Sequence, residues 1–225
     1  MKVLLFLRKI KQRIDEVGLL NTAVGVFKRV FLYRILYLFF HFDKWHLINV
    51  YNITPYKQEV VKLANEIKPK SAIEIGCGLG EIISRINANK KVGLDIDKRV
   101  IDACRLLKYL RGDRTNYFVG SIEYSNDEEP FDVLIMVGWL HGVSEQELIK
   151  YSEIFKDKAV NIIVDEIDKS ISGYKYYHDY DRILGKYYKC VKTSQLIGPR
   201  RIKLYTLLNK VNETQLSFYG EHHES

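Results

Sequence analysis

A chain of 225 residues with 47% hydrophobic side chains, 12% aromatics and only 4 prolines has the length of one domain with an appendage and enough apolar content for a sizeable core, which excludes disordered, collagenous and disulfide-stapled classes. The formal charge of +7 is unevenly placed: Lys2, Arg8, Lys9, Lys11, Arg13, Lys28, Arg29, Arg34 and Lys44 face only Asp15, Glu16 and Asp43 in the first 50 residues, leaving +6 there and +1 in the rest. A nucleic-acid enzyme carries its basic footprint beside its chemistry, so the asymmetry argues for docking by an extension and against a nucleic-acid partner.

Residues 3–17 and 22–40 carry two helical patterns, the second opening after Asn21 as N-cap. The apolar start at 3–7 is too short for a signal segment. The most apolar stretch, 30–42, is broken by Arg34 and falls short of a spanning helix. Lys28, Arg29 and Arg34 point in three directions on a helical wheel, so this helix needs cover on most sides: its own domain, a second subunit in a homodimer, or anionic lipid at the inner face of a membrane. A linker around 49–55 follows, and the domain proper is expected at 51–210, with residues 1–50 as a basic helical extension and 211–225 as a loose polar tail.

From residue 54 strands and helices alternate. A helix at 56–67 begins after Pro55, then a strand at 71–75, a glycine loop, a helix at 81–88, a strand at 91–95 and a helix at 98–110. Strands at 116–119, 131–137 and 158–164 follow, with a helix at 144–155 between the last two. This alternation predicts an α/β fold with a doubly wound, mostly parallel sheet. Two alternating runs, 187–196 and 201–209, joined through Ile197-Gly-Pro-Arg200, predict an antiparallel hairpin at one edge. Cys77, Cys104 and Cys190 are odd in number and lack CxxC spacing. Neither a disulfide framework nor a structural zinc is expected, and a reducing, cytoplasmic setting fits.

The chemistry concentrates in Glu74-Ile-Gly76-Cys-Gly78-Leu-Gly80, between an apolar strand and a predicted helix. Glycines serve where a backbone turns sharply and a ligand approaches main-chain atoms. A second strand ends in Asp95, whose carboxylate is placed to accept both hydroxyls of a ribose. A nucleoside ligand is therefore expected at this loop.

Glu-x-Gly-x-Gly-x-Gly followed by Gly-Leu-Asp-Ile at the end of the next strand resembles the class I S-adenosylmethionine-dependent methyltransferases over about residues 55–210. That resemblance implies a Rossmann-like methyltransferase fold with S-adenosyl-L-methionine as cofactor. It places Gly76, Cys77, Gly78 and Gly80 under the methionine part, Glu74 in support of the loop, Asp95 on the ribose and Ile96 on adenine. Ser121 and Ile122 stand where the family commonly has an acid for the adenine amino group. Tyr56 matches an aromatic that some members lay against the cofactor.

On the acceptor side, residues 138–142 lack the Asn/Asp-Pro-Pro-Tyr/Phe signature of amino-directed nucleic-acid methyltransferases, and carboxylates for a metal are absent between Asp132 and Glu145, so no metal is expected. An alcohol acceptor needs a base, for which His141 competes with Asp165 and Glu166. Tyr177, His178 and Asp179 are the expected acceptor-binding residues, because tyrosines with carboxylates suit a sugar. The arrangement Asp43-Lys-Trp-His46, Pro55-Tyr-Lys57, Glu74-Ile-Gly-Cys-Gly-Leu-Gly-Glu81 and this Tyr/His/Asp insertion resembles small methyltransferases of surface-polysaccharide synthesis, which implies O-methylation of a sugar hydroxyl on a glycan or glycolipid precursor. A non-sugar metabolite as acceptor, or a non-catalytic assembly protein that keeps the cofactor fold, are the competing readings.

Overall fold

The computed structural model describes residues 11–121 and 129–210. The tail expected at 211–225, and Ile122, lie outside them. Seven strands form one sheet: β1 (Ser71–Ile75), β2 (Lys90–Asp95), β3 (Asn116–Val119), β4 (Phe131–Met136), β5 (Ala159–Ile167), β6 (Tyr188–Thr193) and β7 (Arg200–Leu207), in the order β3-β2-β1-β4-β5-β7-β6. β1 pairs in parallel with both β2 and β4, and β7 runs antiparallel between β5 and β6. The chain therefore reverses its winding direction between β1 and β4, which opens a crevice at the carboxyl ends of these strands.

The central strands are apolar on both faces because helices cover both. Ile73 and Ile75 turn toward α5 (Glu145–Lys158), meeting Leu148 and Phe155, while Ala72, Val133 and Ile135 turn toward Val60 and Leu63 of α3 (Pro55–Glu66). Pro55 sits in the first turn of α3, where its missing N–H costs nothing. α4 (Lys98–Arg111) starts on the Asp97 side chain and ends on left-handed Gly112. Ser144 and Glu147 cap α5 reciprocally. Ser144→Ala is expected to lower stability by about 1 kcal/mol, read as a shifted urea midpoint with an unchanged slope; an unshifted midpoint would mean the box contributes nothing.

Three elements differ from expectation. The segment at 81–88 is a turn with a 3-10 helix only at Ile83–Arg85. Its Glu81 carboxylate is drawn inward to Tyr33, the Tyr51 amide and Arg111, and Asn65 Oδ1 takes the Asn87 N–H, so no second helical turn forms. β5 extends to Ile167 because Asp165 and Glu166 pair with Ile202 and Arg201 of β7. The helix expected from Asn21 begins at Leu19 behind Gly18, and its course is α1 (Leu19–Phe27), a π turn (Lys28–Leu32) and α2 (Tyr33–Phe40). Residues 11–17 before it are helical. A short helix, α6 (Tyr180–Leu184), is capped by the Asp179 side chain.

Tyr33, Leu36, Phe42, Val50 and Ile53 pack against Leu79, Val100, Ala103 and Leu107 of the sheet domain. Glu81, 2% exposed, joins the two parts: it accepts the Tyr33 hydroxyl and, at 3.0 Å, the Arg111 guanidinium.

Candidate active site

The loop after β1 crosses the crevice in a series of left-handed turns, with φ of +68° at Gly76 and +67° at Gly80. A Cβ on Gly76 would come within 2.6 Å of the Trp139 indole, and one on Gly80 within 2.3 Å of the Tyr117 hydroxyl oxygen. These two positions admit only glycine, for space as well as for backbone angle. Three bonds fix the loop beneath: Cys77 N–H to Leu94 O at 2.9 Å, Gly78 N–H to Asp95 Oδ2 at 3.0 Å, and Cys104 Sγ–H to Gly78 O at 2.9 Å. Burial pushes the Cys77 thiol up, which leaves it packed and unreactive.

Glu74 is buried under the loop and accepts the Ile83 N–H at 2.9 Å. Burial drives its carboxyl up to about 8, opposed by the Ile83 amide and the Lys57 ammonium. Asp95 closes the other side: Oδ1 takes the Asp97 N–H at 3.0 Å, and burial raises its pKa against the pull of the Asp97 and Gly78 amides. Just beyond it Ile96 is 82% exposed, an apolar shelf at the open end of β2. Ser121 lies half-buried after β3.

Beside the glycine loop lies a small cleft of about 60 Å³. Its walls include Glu74, Gly76, Cys77, Gly78 and Tyr56, together with residues to which the sequence assigned no role in the site: Trp45, His46, Lys57, Trp139 and Arg200. Trp139 is fixed by its indole N–H donating to Ile75 O at 2.7 Å. Lys57, in the first turn of α3, donates to Asn49 O at 2.6 Å, and burial lowers it to about 8 against the pull of Glu74.

His46 comes from the amino-terminal extension and closes the cleft over Gly78, whose Cβ would stand 3.1 Å from its Nδ1. It stacks on Trp45 at 3.5 Å. Burial, then the Lys57 charge, lowers its pKa from 6.5 to about 4, with Asp97 opposing. As acid is added, the unfolded chain protonates this imidazole below pH 6.5 and the folded chain does not until about 4. Its contribution is therefore complete above 6.5 and is lost through that window, by about 3 kcal/mol. His46→Gln is expected to flatten stability across the window, measured by urea midpoints at its two ends. An unchanged slope would assign the acid sensitivity elsewhere.

Past Gly138 the neighbouring wall is built around one ion pair. Asp165 Oδ1 accepts the Gly138 N–H at 2.9 Å, and Oδ2 accepts the Arg200 guanidinium, which lies over the rings of Tyr56 (4.8 Å) and Tyr174 (5.7 Å). Glu166 is bound to Lys203 at 3.0 Å. His141 stands edge-on to Tyr174, with ring centroids 4.9 Å apart. Burial, Arg200 and His178 lower its pKa, so it is neutral at pH 7, and its buried Nδ1 has no hydrogen-bond partner among the described residues.

The insertion folds onto this loop: Tyr176 N–H donates to His141 O at 3.1 Å and His178 Nε2–H to Leu140 O at 3.0 Å. Tyr177 donates to Ile171 O, and Asp179 caps α6. The structure thus brings Tyr56, Glu74, the glycines and Asp95 together, and places Tyr177, His178 and Asp179 behind the loop that carries His141.

The glycine cradle, the carboxylate that closes it and the exposed shelf of Ile96 together fit a nucleoside joined to a short polar chain. No protein-family model matches the sequence, and no curated protein does. Solved structures share the fold. The PH0226 protein from Pyrococcus horikoshii OT3 superposes with a TM-score of 0.59 at 14% identity, over 74% of this chain and 99% of its own. The magnesium protoporphyrin IX methyltransferase ChlM from Synechocystis PCC 6803, solved with bound SAH, gives 0.57 at 13% identity, over 83% and 99%. The methyltransferase domain of bacterial CtHen1 gives 0.56 at 16%, over 68% and 97%. The chain shares the Rossmann-like fold of these structures, a mostly parallel seven-stranded sheet with helices on both faces and antiparallel strands at its carboxyl-terminal edge.

Proposed function

We propose that this protein is an S-adenosylmethionine-dependent methyltransferase whose acceptor is a sugar hydroxyl of a glycan or glycolipid precursor. The observation that carries the first part is the glycine cradle closed by Asp95 beside a cleft at the reversal point of the sheet. The cofactor supplies an electrophilic methyl group on a sulfonium. Asp95 accepts the ribose hydroxyls, Ile96 covers the adenine face and Ser121 meets its edge. Lys57 is the cation of the cleft wall suited to a carboxylate.

Aromatic walls support a sugar as acceptor. Tyr56 and Trp139 line the cleft with flat faces, and the Arg200 guanidinium, held between Asp165 and the rings of Tyr56 and Tyr174, supplies a charged donor at the same wall. His141 is the base in this reading: both carboxylates that compete with it are held in ion pairs, whereas its imidazole is neutral and its buried Nδ1 has no hydrogen-bond partner among the described residues. Most of the rate gain comes from holding the hydroxyl at attack distance in a site that the aromatic rings keep dry.

Calorimetric titration of the purified protein with S-adenosylmethionine and S-adenosylhomocysteine tests the first part, and absence of binding would overturn it. Mass spectrometry of glycans from a deletion strain tests the acceptor. Loss of one methyl mass from one sugar is expected; an unchanged glycan profile would transfer the activity to a non-sugar metabolite.

A further inference from the structure

The amino-terminal helices dock on the domain by one face only. Thr22, Gly25, Tyr33 and Leu36 are buried, and Gly25 lies so close to Ile53 that a Cβ there would come within 2.4 Å of its Cγ2. Lys28 donates to Asn52 Oδ1 at 3.1 Å. The π turn holds this register: its wider turn absorbs one residue, so Tyr33 and Leu36 stay on the side of Thr22 and Gly25. For the same reason the outward row runs straight through Leu20, Phe27, Phe31, Ile35 and Phe39, each between 51% and 78% exposed. This row extends about 30 Å.

Its charge is one-sided. From residue 17 to residue 42 the sequence contains Lys28, Arg29 and Arg34 and no carboxylate. Arg29 and Arg34 are both exposed, flanking the apolar row. We propose that this face is a docking surface for an anionic lipid bilayer, with the aromatic and aliphatic side chains entering the headgroup boundary and the arginines meeting lipid phosphates and carboxylates. A second copy of the chain fits less well, because a two-fold contact would set Arg29 and Arg34 among their own copies with no acid between them. No helix among the described residues is long and apolar enough to cross a membrane, so the contact is lateral. The surface is separate from the cleft, and its test does not depend on activity.

The test is flotation of the full-length chain with phosphatidylcholine vesicles, with and without phosphatidylserine. The wild type is expected to float with the anionic vesicles, to bind neutral ones more weakly by about tenfold, and to lose binding in Phe27→Glu/Phe31→Glu. Both positions are exposed, so an unchanged melting temperature identifies the loss as one of docking. Arg29→Glu/Arg34→Glu is expected to abolish the preference for phosphatidylserine. The proposal is overturned if the wild type stays at the bottom of the gradient, if the phenylalanine variant floats equally, or if light scattering shows a lipid-free dimer that this variant dissociates.

Discussion

Arg200→Met is expected to destabilise the protein by about 3 to 5 kcal/mol, the cost of stranding a buried carboxylate. Asp165 is 3% exposed, and apart from Arg200 it has the Gly138 amide as its hydrogen-bond donor. Methionine retains much of the arginine stem volume, so the loss is electrostatic rather than a cavity. The guanidinium plane also lies over Tyr56 and Tyr174, which lysine cannot reproduce, so Arg200→Lys is expected to recover only part of the stability. Asp165→Asn in the Arg200→Met background removes the stranded charge and is expected to restore a large share. Urea unfolding of the two single variants and the double variant measures the coupling. Additive effects would mean that the pair does not hold this wall of the cleft together.

That ion pair also marks where the sequence stops being legible. The strands of the parallel sheet and the glycine loop are local statements: a short apolar run bounded by turn residues, or a backbone angle that only glycine adopts, is written in adjacent letters. Asp95 was legible for the same reason, because it ends such a run. The misplaced helix at 81–88 has helical spacing in its letters, and what prevents it is Glu81 reaching Tyr33 and Arg111, 48 and 30 residues away. Asp165 and Glu166 looked like the end of a strand because charge broke the apolar pattern. Their neutralising partners, Arg200 and Lys203, stand on β7. Trp45 and His46 enter the cleft from the extension, which packs on Leu79 and Val100, and Lys57 enters from the first turn of α3, whose other face packs on the sheet. The glycine loop and Asp95 were thus readable from local spacing, while the surroundings of Asp165 and Glu166 depend on contacts across the sheet.

Asp95→Ala is expected to weaken binding of S-adenosylmethionine by roughly 100-fold or more. Two hydrogen bonds to a charged acceptor contribute about 1.5 kcal/mol each, and every 1.4 kcal/mol is a factor of ten. The substitution also releases the amides of Gly78 and Asp97, which Asp95 holds at 3.0 Å each, so part of the loss arises from a looser cradle. Asp95→Asn separates the two effects: its single carbonyl oxygen serves one of the two amides and offers a ribose less, so an intermediate affinity is expected. Adenosine alone is the sharper ligand, because it contains the ribose hydroxyls and none of the methionine part. Calorimetry is expected to show its affinity falling in parallel with that of the whole cofactor, while melting temperature reports the state of the loop. If adenosine binding is unaffected and S-adenosylmethionine still binds within about threefold, the carboxylate serves only the glycine loop, and recognition of the nucleoside rests on Ile96, Ser121 and main-chain groups.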